Sequence, residues 1–292
     1  MRFLTRSWRC AMAPERLPRG GRIDRSQALR FSFDGRPMRG HPGDTLASAL
    51  LANGVRLVGR SFKYHRPRGI MGAGAEEAGA LVALEGDEGR ANLVPTLVPL
   101  AEGMRLRSIH AWPSLRLDLG ALAGWASALI PAGFYYKTFK WPNWHLYEPA
   151  IRRAAGLAPA PKAPPKGRYE VRNAHCDVLI AGAGPAGLMA ALVAGRAGAR
   201  VMLVDAGLEA GGSLLARHAQ IGGQPGAAWV AEAVAELAAM PEVAHLQQAT
   251  VWGWREHNLL MVQERAPAHP GLIERGWRVR AGHVICATGA FE

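Results

Sequence analysis

Cysteine is scarce: Cys10, Cys176 and Cys286 are the only three in 292 residues, and they lie about a hundred residues or more apart. That spacing excludes a disulfide framework and any CxxC-type zinc or cluster site supplied by this chain alone. It favours a reducing compartment, and the cytoplasm is the expected location. The ten histidines show no HxxH or HExxH spacing, so no metal site is expected from them. Lysine is nearly missing, since 30 of the 35 basic residues are arginine. With Ala and Gly also abundant, part of the net charge of +12 reflects compositional bias, and no nucleic-acid partner is expected. The excess is uneven: residues 1–172 hold 27 Lys and Arg against 13 Asp and Glu, residues 173–292 hold 8 against 10.

Uncharged runs long enough for a membrane span occur twice, Leu119 to Tyr136 and Val178 to Gly195. The first is broken by Gly120, Gly124, Pro131 and Gly133, and the second holds four glycines and a proline, so no membrane partner is expected. The opening segment has arginines but no apolar core of the kind a secretory signal needs. Residues 1–20 read as a disordered leader. No nucleophile, base and orienting acid can be grouped from the sequence, so no catalytic residue is nominated. Cys286, in an apolar run, reads as an inert core residue.

What is present is an ordinary globular composition, 49% apolar and 20% charged, long enough for two domains. The stretch 158–172 begins with the proline-rich APAPKAPPKGR and reads as a linker. Before it, residues 21–157 form an α+β module with a connecting aromatic region. Leu29, Phe31 and Phe33 alternate ahead of Asp34-Gly35, a hairpin signal. Asp44 or Thr45 caps a helix through Leu46, Ala49 and Leu50. Strands are expected at Ala80–Leu84 and Leu93–Leu100.

Residues 173–292 open with CDVLIAGAGPAGLMAALVAGRAGARVMLVDAG, a strand, a Gly-rich turn, a helix to about Ala197 and a second strand at Val201–Val204. Gly182 permits the tight turn, Gly184 lets the backbone approach a pyrophosphate, and Gly187 allows close packing of helix on sheet. Pro185 and Ala186 sit where the helix N-terminus offers N–H groups to phosphates. Asp205 ends the second strand, where a carboxylate accepts from ribose hydroxyls and repels a 2′-phosphate. NAD or the ADP half of FAD fits; NADP does not. Gly211-Gly212-Ser213 can approach the cofactor or form a surface loop. The Ala231–Met240 helix and Gln248–Trp252 strand fit continued winding of the sheet. The turn Ala287-Thr288-Gly289 can approach the dinucleotide. Replacing Asp205 by Ala is expected to weaken NAD binding with little effect on the unliganded protein.

The strings GRIDRSQALRFSFDGRPMRGHPGDTLASALLANGVRLVGRSFKYHRPRGI, AWPSL, AGFYYKTFKWP and YEPAIRRAAGL, with the βαβ unit, resemble the α subunits of heterotetrameric sarcosine oxidases. That resemblance implies a ferredoxin-like N-terminal domain of the 2Fe–2S fold type, followed by a Rossmann-like FAD/NAD-binding domain. It implies an NAD-binding subunit, with FAD and FMN elsewhere in the complex and β, γ and δ subunits as partners. The complex oxidises sarcosine with oxygen and tetrahydrofolate, giving glycine, hydrogen peroxide and methylenetetrahydrofolate. The nucleotide contacts carried over are Ala186, Asp205, Ala206, Gly207, Ser213 and Val251, with Ala206 and Gly207 offering only backbone. The family's α subunits continue past ATGAFE, so the nucleotide domain here is expected to be incomplete and the tetrahydrofolate site missing, leaving the chain alone inactive. No iron–sulfur cluster is expected, because no cysteine lies between Arg60 and Gly103. The basic run Arg56, Arg60, Lys63, His65, Arg66 and Arg68 reads either as an anion site or as a solvated loop. Trp112, Tyr135, Tyr136, Trp141, Trp144 and Tyr147 suggest an interface or inter-domain core. A self-contained FAD-dependent oxidoreductase and a non-functional fragment remain as alternatives.

Overall fold

The computed structural model describes residues 16–19, 21, 23–61, 65–85, 92–109, 111–122, 139, 141–154, 167–265 and 271–290. The chain divides into two compact units, Met1–Pro165 and Lys166–Glu292. Residues 158–166 of the expected linker lie outside the described residues, as do Lys63, Tyr135, Tyr136 and residues 1–15 and 20 of the leader. The linker expectation fails from Arg168 on, where the strand Arg168–Ala181 has already begun.

In the first unit a four-stranded sheet runs in the order Arg36–Gly40, Leu29–Phe33, Arg105–Ser108, Val82–Leu84. The first pair is the expected hairpin, turned by Asp34 and Gly35 at φ 48° and 73°, the left-handed pair that a tight two-residue hairpin requires. Leu29–Phe33 pairs in parallel with Arg105–Ser108. Phe31, Phe33, Val82 and Leu106 bury one sheet face against Leu46 and Leu50 of the helix Leu46–Ala52. Thr45 caps that helix, its hydroxyl accepting from Ser48 N while the Ser48 hydroxyl accepts from Thr45 N. Asp44 is buried and takes other bonds, from Arg16, His41 N and the Ser48 hydroxyl.

The stretch Leu93–Leu100 is not a strand; it makes only isolated bridges. Pro95 and Pro99 lack the N–H a ladder needs. The carbonyls of Pro95 and Val98 instead accept from Ala47 N and Leu46 N, satisfying donors that a helix N-terminus leaves open.

In the second unit six strands lie in the order Val243–Leu246, Val201–Val204, Arg168–Ala181, Leu272–Cys286, Leu259–Arg265, Ala249–Arg255. The first four are parallel and the last two pair antiparallel. Helices Pro185–Arg196 and Gly226–Ala238 pack on one face through Leu188, Leu192, Val230 and Leu237. The other face buries Leu179, Val204, Leu260 and Val279. The parallel winding therefore ends earlier than expected. Ala249–Arg255 returns as a hairpin because His257 and Asn258 both take positive φ, 56° and 50°, and no crossover helix intervenes.

Cys286 also departs from expectation. As the last residue of its strand it is exposed, whereas Cys176 is buried, and burial pushes the Cys176 thiol up to about 11.

Candidate functional site

The site grows from the meeting of two parallel strand ends. Val178–Ala181 pairs with Val201–Val204 in register, so the Gly-rich turn after Ala181 and the carboxylate of Asp205 emerge side by side. Asp205 Oδ2 accepts from Ala183 N at 2.7 Å and Oδ1 from Gly207 N at 2.7 Å. Gly182 N donates to Val204 O at 2.7 Å, closing the turn onto the second strand.

Two glycines here are fixed by space. A Cβ on Gly187 would stand 1.8 Å from Gly182 O, and one on Gly182, at φ 105°, would stand 2.3 Å from Ala287 O. Gly184 is different: a Cβ there would find nothing nearer than Gly212 Cα at 4.0 Å. Gly184 is also the N-cap of helix Pro185–Arg196, with no side-chain cap. The N–H groups of Ala186 and Gly187 thus have no capping side chain at the positive end of the helix dipole. Pro185, at the first helical position, has no N–H to leave unsatisfied.

Three other segments converge. Gly211 N donates to Ala183 O at 2.8 Å, and a Cβ on Gly212 would stand 2.9 Å from Gly184 Cα, so Gly212 lies against the turn. Ser213 is exposed one residue further on. Thr288 Cα comes within 3.1 Å of the position a Gly182 Cβ would take, with Gly289 exposed beyond it. Gln248 N donates to Gly207 O at 3.1 Å and Ala249 N to Asp205 O at 2.8 Å. Val251 follows two residues later, half-buried against the Leu179 cluster. Ala206 is exposed and Gly207 half-buried.

Sequence reasoning missed Ala183 and His245. Ala183 matters through its backbone, which no residue type reveals. His245 is the register partner of Leu203, and its Nε2 is buried without a hydrogen-bond partner. Burial lowers its pKa, opposed by the charge of Asp205. Its position one strand away from Asp205 follows from sheet order, which periodicity does not encode.

The basic run in the first unit is partly used internally. Arg60 donates to the carbonyls of Leu115 and His65, and His65 Nδ1 lies 2.7 Å from Asp118 Oδ2.

Residues 177–256 match the family model of FAD dependent oxidoreductases, and residues 26–111 match the model of the 2Fe-2S iron-sulfur cluster binding domain. The class that the chain resembles in these matches is therefore a ferredoxin-type module followed by an FAD-dependent oxidoreductase domain. Within it, the chain is 53% identical over 292 residues to sarcosine oxidase subunit alpha of Rhizobium meliloti (strain 1021), which covers 96% of this chain and 30% of the relative. Sarcosine oxidase subunit alpha of Corynebacterium sp. (strain P-1) is 38% identical over 283 residues, 93% of this chain and 25% of the relative. The resemblance to sarcosine oxidase α subunits thus runs along nearly the whole chain, while the chain spans less than a third of those relatives' length. The structure of L-proline dehydrogenase from P. horikoshii shares the fold, with a TM-score of 0.60 at 17% identity over 92% of this chain and 42% of that one.

One expectation is corrected. The cofactor reading excluded an iron–sulfur cluster, and residues 26–111 match a model described as a 2Fe-2S cluster binding domain. The donor chemistry of the span is a separate matter. It contains no cysteine, and among the described residues no group of three or more His, Cys, Asp or Glu could hold a metal ion. The segment from Met71 to Ala80 is organised by a carboxylate instead: buried Glu77 accepts from Met71, Gly72, Gly79 and Ala80 N. These residues do not match the four thiolates that a plant-type cluster takes. Among the described residues, no helix is long and apolar enough to cross a membrane.

Proposed function

We propose that this chain is the dinucleotide-binding part of an oxidoreductase of the sarcosine oxidase type, with the ADP half of NAD or FAD held at the turn Gly182–Gly187. The observation that supports it most is the uncapped helix N-terminus at Gly184 beside the Asp205 carboxylate. Backbone N–H groups of Ala186 and Gly187 would receive the pyrophosphate. Gly212, Ser213, Thr288 and Gly289 would flank it, and Asp205 would accept from a ribose hydroxyl. Each Asp205 oxygen already takes one N–H and retains a lone pair for this. A nicotinamide or flavin bound there supplies hydride transfer; the chain's own residues bind, orient and exclude. Val251 and the backbone of Ala206 and Gly207 complete the adenosine end in this reading.

NAD is the dinucleotide the sarcosine oxidase resemblance points to, and the family match over residues 177–256 favours FAD. In the first case the chain works as a subunit, with β, γ and δ partners carrying the amine-oxidising flavin; in the second it carries its own flavin. The test is to purify the chain alone and co-expressed with a β-type subunit, then record flavin absorbance and sarcosine-dependent hydrogen peroxide. The subunit reading expects no turnover by the chain alone and co-purification with the partner. Turnover by the chain alone, with a bound flavin spectrum, would transfer the assignment to a self-contained flavoenzyme.

A further inference from the structure

Arg30 and Arg39 stand directly opposite each other on the hairpin Leu29–Phe33/Arg36–Gly40. Their pair is of the non-hydrogen-bonded kind. Arg39 N and O both turn outward to the side-chain amide of Asn53, and Arg30 N and O turn the other way, to Glu102 and Gly103. Cross-strand partners of this kind bring their side chains closest, and like charges there are destabilising. Neither guanidinium has a hydrogen-bond or ion-pair partner among the described residues.

Both line a cavity of about 900 Å³ in the first unit, together with Arg16, Arg25 and His41. The charge of Arg16 is balanced by a two-point ion pair with buried Asp44, and among the described residues no acidic side chain lines the cavity. His41 Nδ1 donates to Gln27 O at 2.6 Å, which leaves Nε2 as its remaining polar atom. Its apolar lining comes from Leu17, Pro18 and Pro37, while the side chains of Phe31 and Met38 belong to the core on the other face of the hairpin. The volume lies within the range of small-molecule sites.

We propose that this cavity binds a phosphate group carried on a small molecule with an apolar body, the phosphate seated between Arg30 and Arg39. An anion placed there turns an unfavourable like-charge pair into a two-armed clamp of the geometry that guanidinium and phosphate share. The apolar lining sets the preference for an organic phosphate ester over the free ion.

The test titrates inorganic phosphate and phenyl phosphate into the full chain by calorimetry, using wild type, R30Q/R39Q and a control, R107Q/R116Q. The control removes the same charge from exposed arginines that do not line the cavity. Any phosphate taken up at the Gly182–Gly187 turn contributes equally to all three proteins. Phenyl phosphate is expected to bind wild type more tightly than inorganic phosphate. Its affinity should drop tenfold or more in R30Q/R39Q and less than twofold in the control. Without ligand, the melting temperature of R30Q/R39Q should equal or exceed that of wild type; the single variants R30Q and R39Q, each losing part of the affinity, serve if it does not. Equal losses in the two double variants, or none in either, would overturn the site. Tighter binding of a polyglutamate peptide than of phenyl phosphate through the same arginines would overturn the small-molecule ligand in favour of an acidic protein partner.

Discussion

Asp205 Oδ2 accepts the N–H of Ala183 across 2.7 Å, tying the end of one parallel strand to the Gly-rich turn that leaves its neighbour. The carboxylate that would meet a ribose is therefore also the clamp that shapes the phosphate turn. A second bond, from Gly207 N to Oδ1, fixes the loop that follows.

This double role changes the expected effect of removing Asp205. From sequence alone D205A affects ligand binding and little else. With Ala183 buried and both N–H groups losing their acceptor, the cost is about 1–3 kcal/mol for each donor that water cannot reach. Denaturant unfolding of ligand-free D205A should show a lowered midpoint with unchanged slope. An unchanged midpoint would show that the turn holds its shape without the carboxylate.

Gly187 carries a sharper prediction. Its Cβ would overlap Gly182 O at 1.8 Å, and backbone cannot yield as a flexible side chain does. G187A should destabilise the second unit by at least about 1–3 kcal/mol, the usual range of overpacking, and abolish dinucleotide binding. Circular dichroism melts and a ligand titration together check this. Near-native stability with intact binding would refute the close approach.

The loop around Glu77 predicts a pH dependence. Burial pushes this carboxyl up, but the four backbone N–H groups outweigh it and leave the pKa below the ordinary glutamate value. A group whose pKa is depressed on folding contributes stability above its unfolded pKa, and this is lost as pH falls through the folded value. Stability of the first unit should therefore decline as pH drops below about 4.3, the ordinary glutamate value. E77Q should be destabilised at pH 7 and show a shallower acid decline. Parallel acid profiles for wild type and E77Q would contradict this.

Arg275 in the second unit is buried and donates to Glu170 and Glu264, while Trp277 Nε1 donates to Glu264 at 2.9 Å. Truncation to Ala leaves Glu264 short of its counter-charge, at a cost of about 3–5 kcal/mol when the pair is fully buried. R275M, which fills the volume, combined with E264Q, should recover much of the loss in chemical denaturation. Equal stability of R275A and wild type would mean that solvent already screens the network.

Much of this was legible in sequence where local chemistry decides the outcome. Asp34-Gly35 marked the hairpin, Thr45 the helix start, and Gly182, Gly184, Gly187 and Asp205 the βαβ unit. The sequence pattern marks the first strand of the second unit only over Val178–Ala181, because residues 168–175 carry charges along an exposed stretch. Its pairing with Leu272–Cys286, about a hundred residues downstream, makes it a strand, and such long-range partners leave no local pattern. The antiparallel tail and the position of His245 escaped for the same reason. Glu77 escaped differently: a lone acid among small residues looks like a solvated loop until four N–H groups close around it.

The central claim is that the Gly182–Gly187 turn and Asp205 hold the ADP half of a dinucleotide whose ribose 2′-hydroxyl is free. Calorimetric titration of the full chain with NAD, NADP and FAD tests it most directly. A 2′-phosphate would stand against Asp205 with no counter-charge, at a cost of about 1–2 kcal/mol, roughly tenfold in affinity. The account predicts that NAD or FAD binds and that NADP binds at least about tenfold more weakly than NAD. Binding of NADP as tightly as NAD, or of none of the three, would contradict it.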